Sequence, residues 1–126
     1  MIVKSIDDIL GTSSDVQGDG WVSRRLLLAG DGLGYSFHET VMEEGSITTM
    51  HYKHHVESVY CLSGTAEVTN EETGEVHLIT PGTIYVLDGH ERHTFRALTE
   101  FRDICIFTPA VAGNEKHDEE GAYPPP

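Results

Sequence analysis

The seven residues from His51 to Glu57, "HYKHHVE", hold His51, Lys53, His54, His55 and Glu57. Imidazoles and carboxylates are donors for divalent transition metals, so the run reads first as a metal site. Lysine cannot join such a site, because a protonated amine has no lone pair to give. On a strand only alternate side chains share a face, so the whole run cannot reach one point. Glu57 is the hardest residue to explain as structure: apolar "VYCL" follows closely, and a buried carboxylate without a partner is costly. His54, His55, His77 and His90 occupy turn-like or strand-end places and are expected to be solvated.

The elements that must position these groups are strands. Helical periodicity is nearly absent beyond "SIDDIL", a capped turn headed by Ser5. "WVSRRLLLA", "SFHETVM", "SITTMHYK", "ESVYCLSG", "TAEVTN", "EVHLI", "TIYVLD", "HTFRAL" and "RDICIFT" are short runs rich in Val, Ile, Thr, Tyr and Phe. Turn signals divide them, among them "GDGLG", "NEETGE" and "PG". Eight or nine such strands predict an all-β antiparallel barrel or sandwich. Alternation lets only one of Arg24 and Arg25 face inward, and places Cys105 and Phe107 together on one face.

At 126 residues and 13.9 kDa the chain fits one domain, able to bury roughly 65% of its unfolded surface. A formal charge of −13, from 21 acidic against 8 basic residues, argues against nucleic acid and anionic membrane as partners. No apolar run approaches the ~20 residues that cross a bilayer. "MIVKSIDDILGT" carries acids where a signal peptide would start basic, so a cytoplasmic location is expected. Two cysteines, Cys61 and Cys105, sit in strand-like apolar runs and are expected as reduced thiols. The tail "NEKHDEEGAYPPP" is polar, acidic and proline-ended; its composition alone predicts a frayed terminus.

Spacing sharpens the reading. Gly45, His51, Lys53, Glu57 and Gly64 recur at the intervals of the first cupin motif, with Lys53 in place of the second histidine. "PGTIYVLDGHERHTF" resembles the second motif through Pro81, Gly82 and His93, but has Asp88, His90 and later Ala97 where Pro, Gly and Asn are usual. More specifically, "GDGWVSRRLLLAGDGLGYSFHET", "MHYKHHVESVYCLSG", "PGTIYVLDGHERHTFRA" and "HDEEGAYPP" resemble the ectoine synthase family of cupin enzymes, over essentially the whole chain.

The resemblance implies a single cupin barrel, an antiparallel jelly roll: residues 1–12 an N-terminal strand or turn, 13–111 the barrel, 112–126 a C-terminal lid. It implies a hydro-lyase, a carbon–oxygen lyase that cyclises N4-acetyl-L-2,4-diaminobutyrate to the compatible solute ectoine with loss of water. It implies Fe(2+) on Glu57, Tyr85 and His93; read from sequence alone, Tyr85 is a core tyrosine. A phenolate is a hard donor that suits iron and makes good the ligand lost at Lys53. It points to a head-to-tail homodimer, for which "MIVKSI" offers a strand edge.

The reaction sets three tasks. A Lewis acid on the amide carbonyl stabilises developing charge. Proton exchange falls to Glu115 as base and Tyr52 as donor or orienter, with His51 and His117 as relays. Positioning the flexible substrate falls to Arg25 for its carboxylate, Trp21 as a flat wall, Thr40 as a hydroxyl, and Cys105 and Phe107 on the apolar side. The family usually carries Asn at the position of His38, so this chain departs from it at a substrate contact. With Glu115 and His117 in the site, the tail is expected to fold over the barrel mouth. Cupins also include iron dioxygenases, sugar isomerases and non-enzymatic solute binders, so the fold leaves these open.

Overall fold

The structure, a computed structural model, describes residues 1–113 and 115–126. A short helix, α1 (Ile6–Ile9), leads into ten strands: β1 (Asp15–Gly18), β2 (Trp21–Leu27), β3 (Ser36–Met42), β4 (Ile47–Met50), β5 (Val56–Ser63), β6 (Ala66–Asn70), β7 (Val76–Ile79), β8 (Ile84–Val86), β9 (His93–Ala97) and β10 (Phe101–Thr108). Ser5 heads α1, its N–H donating to the Asp8 carboxylate at 2.8 Å.

The strands form two antiparallel sheets, ordered β1-β2-β3-β10-β5-β8 and β4-β9-β6-β7. Two antiparallel sheets in one layer pair make the single jelly roll that the cupin resemblance implies. Period-two burial is clearest in β10, where Phe101, Asp103, Cys105 and Phe107 are buried and the residues between them are not. The core lies between the sheets around Val59, Ala66, Phe95, Ala97, Phe101 and Phe107, with Phe95 and Phe101 edge to face at 5.0 Å. Truncating either ring to Ala would cost about 3–5 kcal/mol.

Register turns the inner face of the larger sheet into rows. Trp21 lies opposite Met42, and Met42 opposite Phe101; next come Ser23, Thr40, Asp103 and Cys61; then Arg25, His38, Cys105, Val59 and Tyr85; then Phe107 beside Glu57. Gly18 lies flat against the Trp21 indole, where a Cβ would collide with the ring. On the outer face Tyr60, Leu62, Ile84 and Val86 are exposed, and β8, three residues long, forms an edge.

Candidate functional site

Most of the expected site residues converge on one cavity between the sheets. Trp21, His38, Thr40, Tyr52, Glu57, Tyr85, Cys105, Phe107 and His117 all line it. Strand register brings in the wall residues, whereas Tyr52 enters from the 51–55 connection and His117 from the tail. Arg25, Glu115, His51 and His93 do not line it, each for a visible reason.

Arg25 is only 1% exposed, and its guanidinium faces the tail. It donates to Gly113 O at 2.9 Å, Glu115 O at 2.7 Å and the Tyr123 hydroxyl at 3.2 Å, while Nε donates to Ser23 Oγ at 3.2 Å. The expected contact with a substrate carboxylate thus finds these donors already used. Arg24, pointing outward, pairs with Glu39 at 3.0 Å, so the alternation is resolved in favour of Arg25 inside.

Glu115, expected as the base, turns its carboxylate back on its own loop. It accepts from Ala112 N at 2.7 Å and Gly113 N at 2.6 Å and lies 3.8 Å from Arg25. Burial alone would raise its pKa, but the backbone N–H groups and Arg25 outweigh it and hold the carboxyl below its ordinary range. His51 donates its backbone N–H to Gly121 O at 3.0 Å, and its side chain lines a separate surface depression beside Glu119 and Glu120. Lys53 is exposed and ion-paired with Glu120 of the tail.

The tail is docked rather than frayed, as a lid requires. Tyr123 is 4% exposed, stacked on His117 with ring centroids 4.8 Å apart and packed on Tyr52 and Phe107. Gly121 has φ +75° and abuts the Thr49 carbonyl, where a Cβ would collide with backbone. The Tyr52 hydroxyl and His117 Nε2 share a hydrogen bond of 2.8 Å, joining barrel to tail inside the cavity.

Burial governs the titratable groups. His117 is held down to about 4 by desolvation and then by the charge of Arg25, so its imidazole is neutral at neutral pH. His38 is held down to about 3 by the same two causes in the same order. Arg25 fills a lone pair of Ser23 Oγ, which lies 3.4 Å from His38 Nδ1; the hydroxyl hydrogen can then go to Nδ1, leaving the His38 proton on Nε2. That nitrogen is buried and has no hydrogen-bond partner among the described residues. Burial pushes Glu57 up to about 8, with the Asp103 charge adding to it, and the Tyr52 phenol well above its usual value.

Glu57 is 5% exposed and in no ion pair among the described residues, a state that a cation would relieve. His93 is 1% exposed; its Nδ1 is 2.9 Å from Glu91 O and its buried Nε2 has no partner among the described residues. If Nδ1 donates to that carbonyl, Nε2 keeps a free lone pair. His93 borders a neighbouring space that Tyr85 also borders, so Tyr85 stands between His93 and the cavity. Among the described residues no three His, Cys, Asp or Glu side chains converge on a metal position, so the implied donor set depends on the Tyr85 phenol.

Two further residues depart from expectation. His55, expected to be solvated, is 1% exposed, packed edge-on to Phe107 and Tyr123, with neither ring nitrogen partnered among the described residues. The chain breaks its alternation between β4 and β5, so parity with Glu57, not with His51, decides where His55 points. His54 and His77 are exposed as expected, and exposed His90 places Nδ1 2.9 Å from Tyr52 O. Asp103 was passed over in the sequence, yet it is 3% exposed and lines the cavity, with burial raising its carboxyl to about 7. The signal was there: it shares the parity that singles out Cys105 and Phe107.

Comparison with known proteins adds the family. A family model described as Ectoine synthase matches residues 1–126. An L-ectoine synthase from Thermobifida fusca is 60% identical over 124 residues, covering 98% of this chain and 92% of its own. The crystal structure of ectoine synthase from P. lautus superposes with a TM-score of 0.89 at 47% identity, over 96% of this chain and 87% of that one. An RmlC-like cupin from Shewanella frigidimarina matches at TM-score 0.63 and 19% identity, over 74% of this chain and 79% of that one, which speaks to the fold alone.

Proposed function

The chain belongs to the ectoine synthase family, whose members are enzymes acting on a small molecule, and from that premise we propose that it closes N4-acetyl-L-2,4-diaminobutyrate into ectoine with loss of water, as an iron-supported hydro-lyase. The buried Glu57, without a charge partner among the described residues, the Nε2 of His93, without a hydrogen-bond partner among them, and the inward Tyr85 support a divalent cation here. Iron(II) on these three residues would supply a Lewis acid for the amide carbonyl.

The remaining work falls to the chain. Closure turns an ammonium nitrogen bearing three hydrogens into a ring nitrogen bearing one, and the amide oxygen into water. Two protons therefore cross from nitrogen to oxygen, with no net uptake. The observation that carries the reading is the 2.8 Å bond between Tyr52 and His117 at the cavity wall. His117, neutral, accepts a proton; Tyr52 gives one; the bond between them returns it. His38 offers its Nε2–H and Thr40 its hydroxyl to the substrate, Trp21 forms a flat wall, and Cys105 with Phe107 forms the apolar side. Arg25 and Glu115 act on the tail, which keeps water out of a reaction that must expel it. His51 helps seat that tail through Gly121.

The exposed apolar residues Met1, Ile2 and Val3 and the outer face around Ile84 and Val86 support a head-to-tail homodimer. An acidic chain whose described residues contain no helix long and apolar enough to span a membrane suits work in the cytoplasm, where a compatible solute accumulates under osmotic stress. Incubating iron-loaded protein with the substrate and reading mass tests the reaction. Loss of one water per molecule without oxygen uptake supports it; oxygen consumption would point to dioxygenase chemistry, and binding without product to a solute-binding cupin.

A further inference from the structure

Two buried carboxylates face the cavity, and the roles assigned above use only Glu57. Asp103 sits on the inner face of β10, in the row it shares with Thr40 of β3 and Cys61 of β5. Trp21 lies one row away on one side, and Cys105 one row away on the other. Its polar contacts are neutral ones, the Cys105 thiol donating to Oδ1 at 3.1 Å and the Thr40 hydroxyl beside it. It takes part in no ion pair among the described residues, and the arginines of its own sheet are committed elsewhere: Arg24 and Arg102 to Glu39, Arg25 to the tail. A carboxylate this deep is costly to keep unless a cation comes to it.

The metal set implied by the family resemblance, Glu57, Tyr85 and His93, leaves Asp103 out, and a cation brought by the ligand accounts for it. On the ring-closing reading, on which this inference rests, the ligand carries one cationic group, the 2-ammonium. We propose that Asp103 is the counter-ion of that ammonium and so decides which way round the molecule lies in the cavity. The ammonium end then lies against β10 near Trp21. The acetamide reaches past Cys105 toward Glu57, which stands on the same face opposite Phe107. A charged, desolvated pair of this kind discriminates strongly against ligands that lack the ammonium, because the carboxylate would be left alone.

Two unreactive sulfonamides test it by calorimetry: N4-methanesulfonyl-L-2,4-diaminobutyrate, and 4-methanesulfonamidobutanoate, which lacks the amino group. The wild type should prefer the amino compound by about 30-fold or more. Asp103→Asn should erase that preference by weakening the amino compound, while the deamino compound binds as well as to the wild type or better. Persistence of the preference in Asp103→Asn, equal weakening of both ligands, or no preference in the wild type overturns the assignment. Should Asp103→Asn not fold, Asp103→Leu takes its place, and the wild-type ratio still decides against the proposal if it is near one. Ring closure is read separately, by mass, on the natural substrate with wild-type protein. Absence of product would sink the ring-closing reading, while the sulfonamide ratio judges the carboxylate–ammonium pair.

Discussion

The barrel wall and the C-terminal segment both furnish the cavity, but different physics holds them there. Wall residues such as Thr40, Cys105 and Tyr85 are placed by strand register, in which each position is fixed by a ladder of backbone bonds. The segment from 115 to 123 belongs to no helix or strand and is placed by side-chain ties: Arg25 to two carbonyls and a phenol, Lys53 to Glu120, His117 to Tyr52. A wall position therefore tolerates loss of a single side-chain contact, whereas the tail depends on a few.

Substituting Arg25 should separate the two most. Arg25→Met removes the three hydrogen bonds that Arg25 donates to the tail while keeping an apolar stem, and should lower kcat/KM by about 1,000-fold, a loss of both positioning and water exclusion. Limited proteolysis should then cut within the tail and spare the barrel; a tail that stayed protected would show that Arg25 does not hold it. Tyr52→Phe breaks the hydrogen bond to His117 that joins the two regions inside the cavity. Turnover should fall by about 100-fold, with thermal unfolding moved by no more than about 1–3 kcal/mol from the bond lost at His117. Gly121→Ala strains a left-handed residue against backbone, and should weaken tail docking by about 1–3 kcal/mol, seen as a raised KM with the barrel transition unmoved.

The smallest effect is in pH. His117 titrates near 4 when folded and near 6.5 when unfolded, so between those values the unfolded chain binds more protons. Its stabilising contribution is whole above pH 6.5, is lost as pH falls toward 4, and changes no further below. His38 acts with the same sign, toward about 3. Denaturation curves of His117→Asn should therefore be flatter across that window than those of the wild type; equal slopes would mean that the tail imidazole is as solvated in the folded protein as in the unfolded chain.

The same contrast explains what could be read from sequence. Period-two patterning identified the strands, the pairing of Cys105 with Phe107 and the inward Glu57, because alternation is a local property. By that rule Asp103 is equally legible, since it shares the parity of Cys105 and Phe107 on β10. Tyr85 and the choice between Arg24 and Arg25 needed the family resemblance, since alternation does not say which parity is inward. What the sequence could not show were the ties across long separations: nothing in "SRR" announces carbonyls near residue 115, and nothing around Glu115 announces that its carboxylate would close its own loop. His55 failed for a related reason, the interruption of the strand between 51 and 55 that resets the alternation.

The guanidinium of Arg25 joins positions 88 to 98 residues apart in the chain. Contacts that span so much of a polypeptide form late, after the nearer strand pairs have closed their loops. During synthesis from the N-terminus, β2 and β3 are made well before the partners of Arg25 at 113, 115 and 123. A nascent chain can thus own a finished barrel and still lack His117 and Tyr123. Catalytic competence then arrives late in folding, which makes turnover itself a report that the chain has been delivered as far as Tyr123.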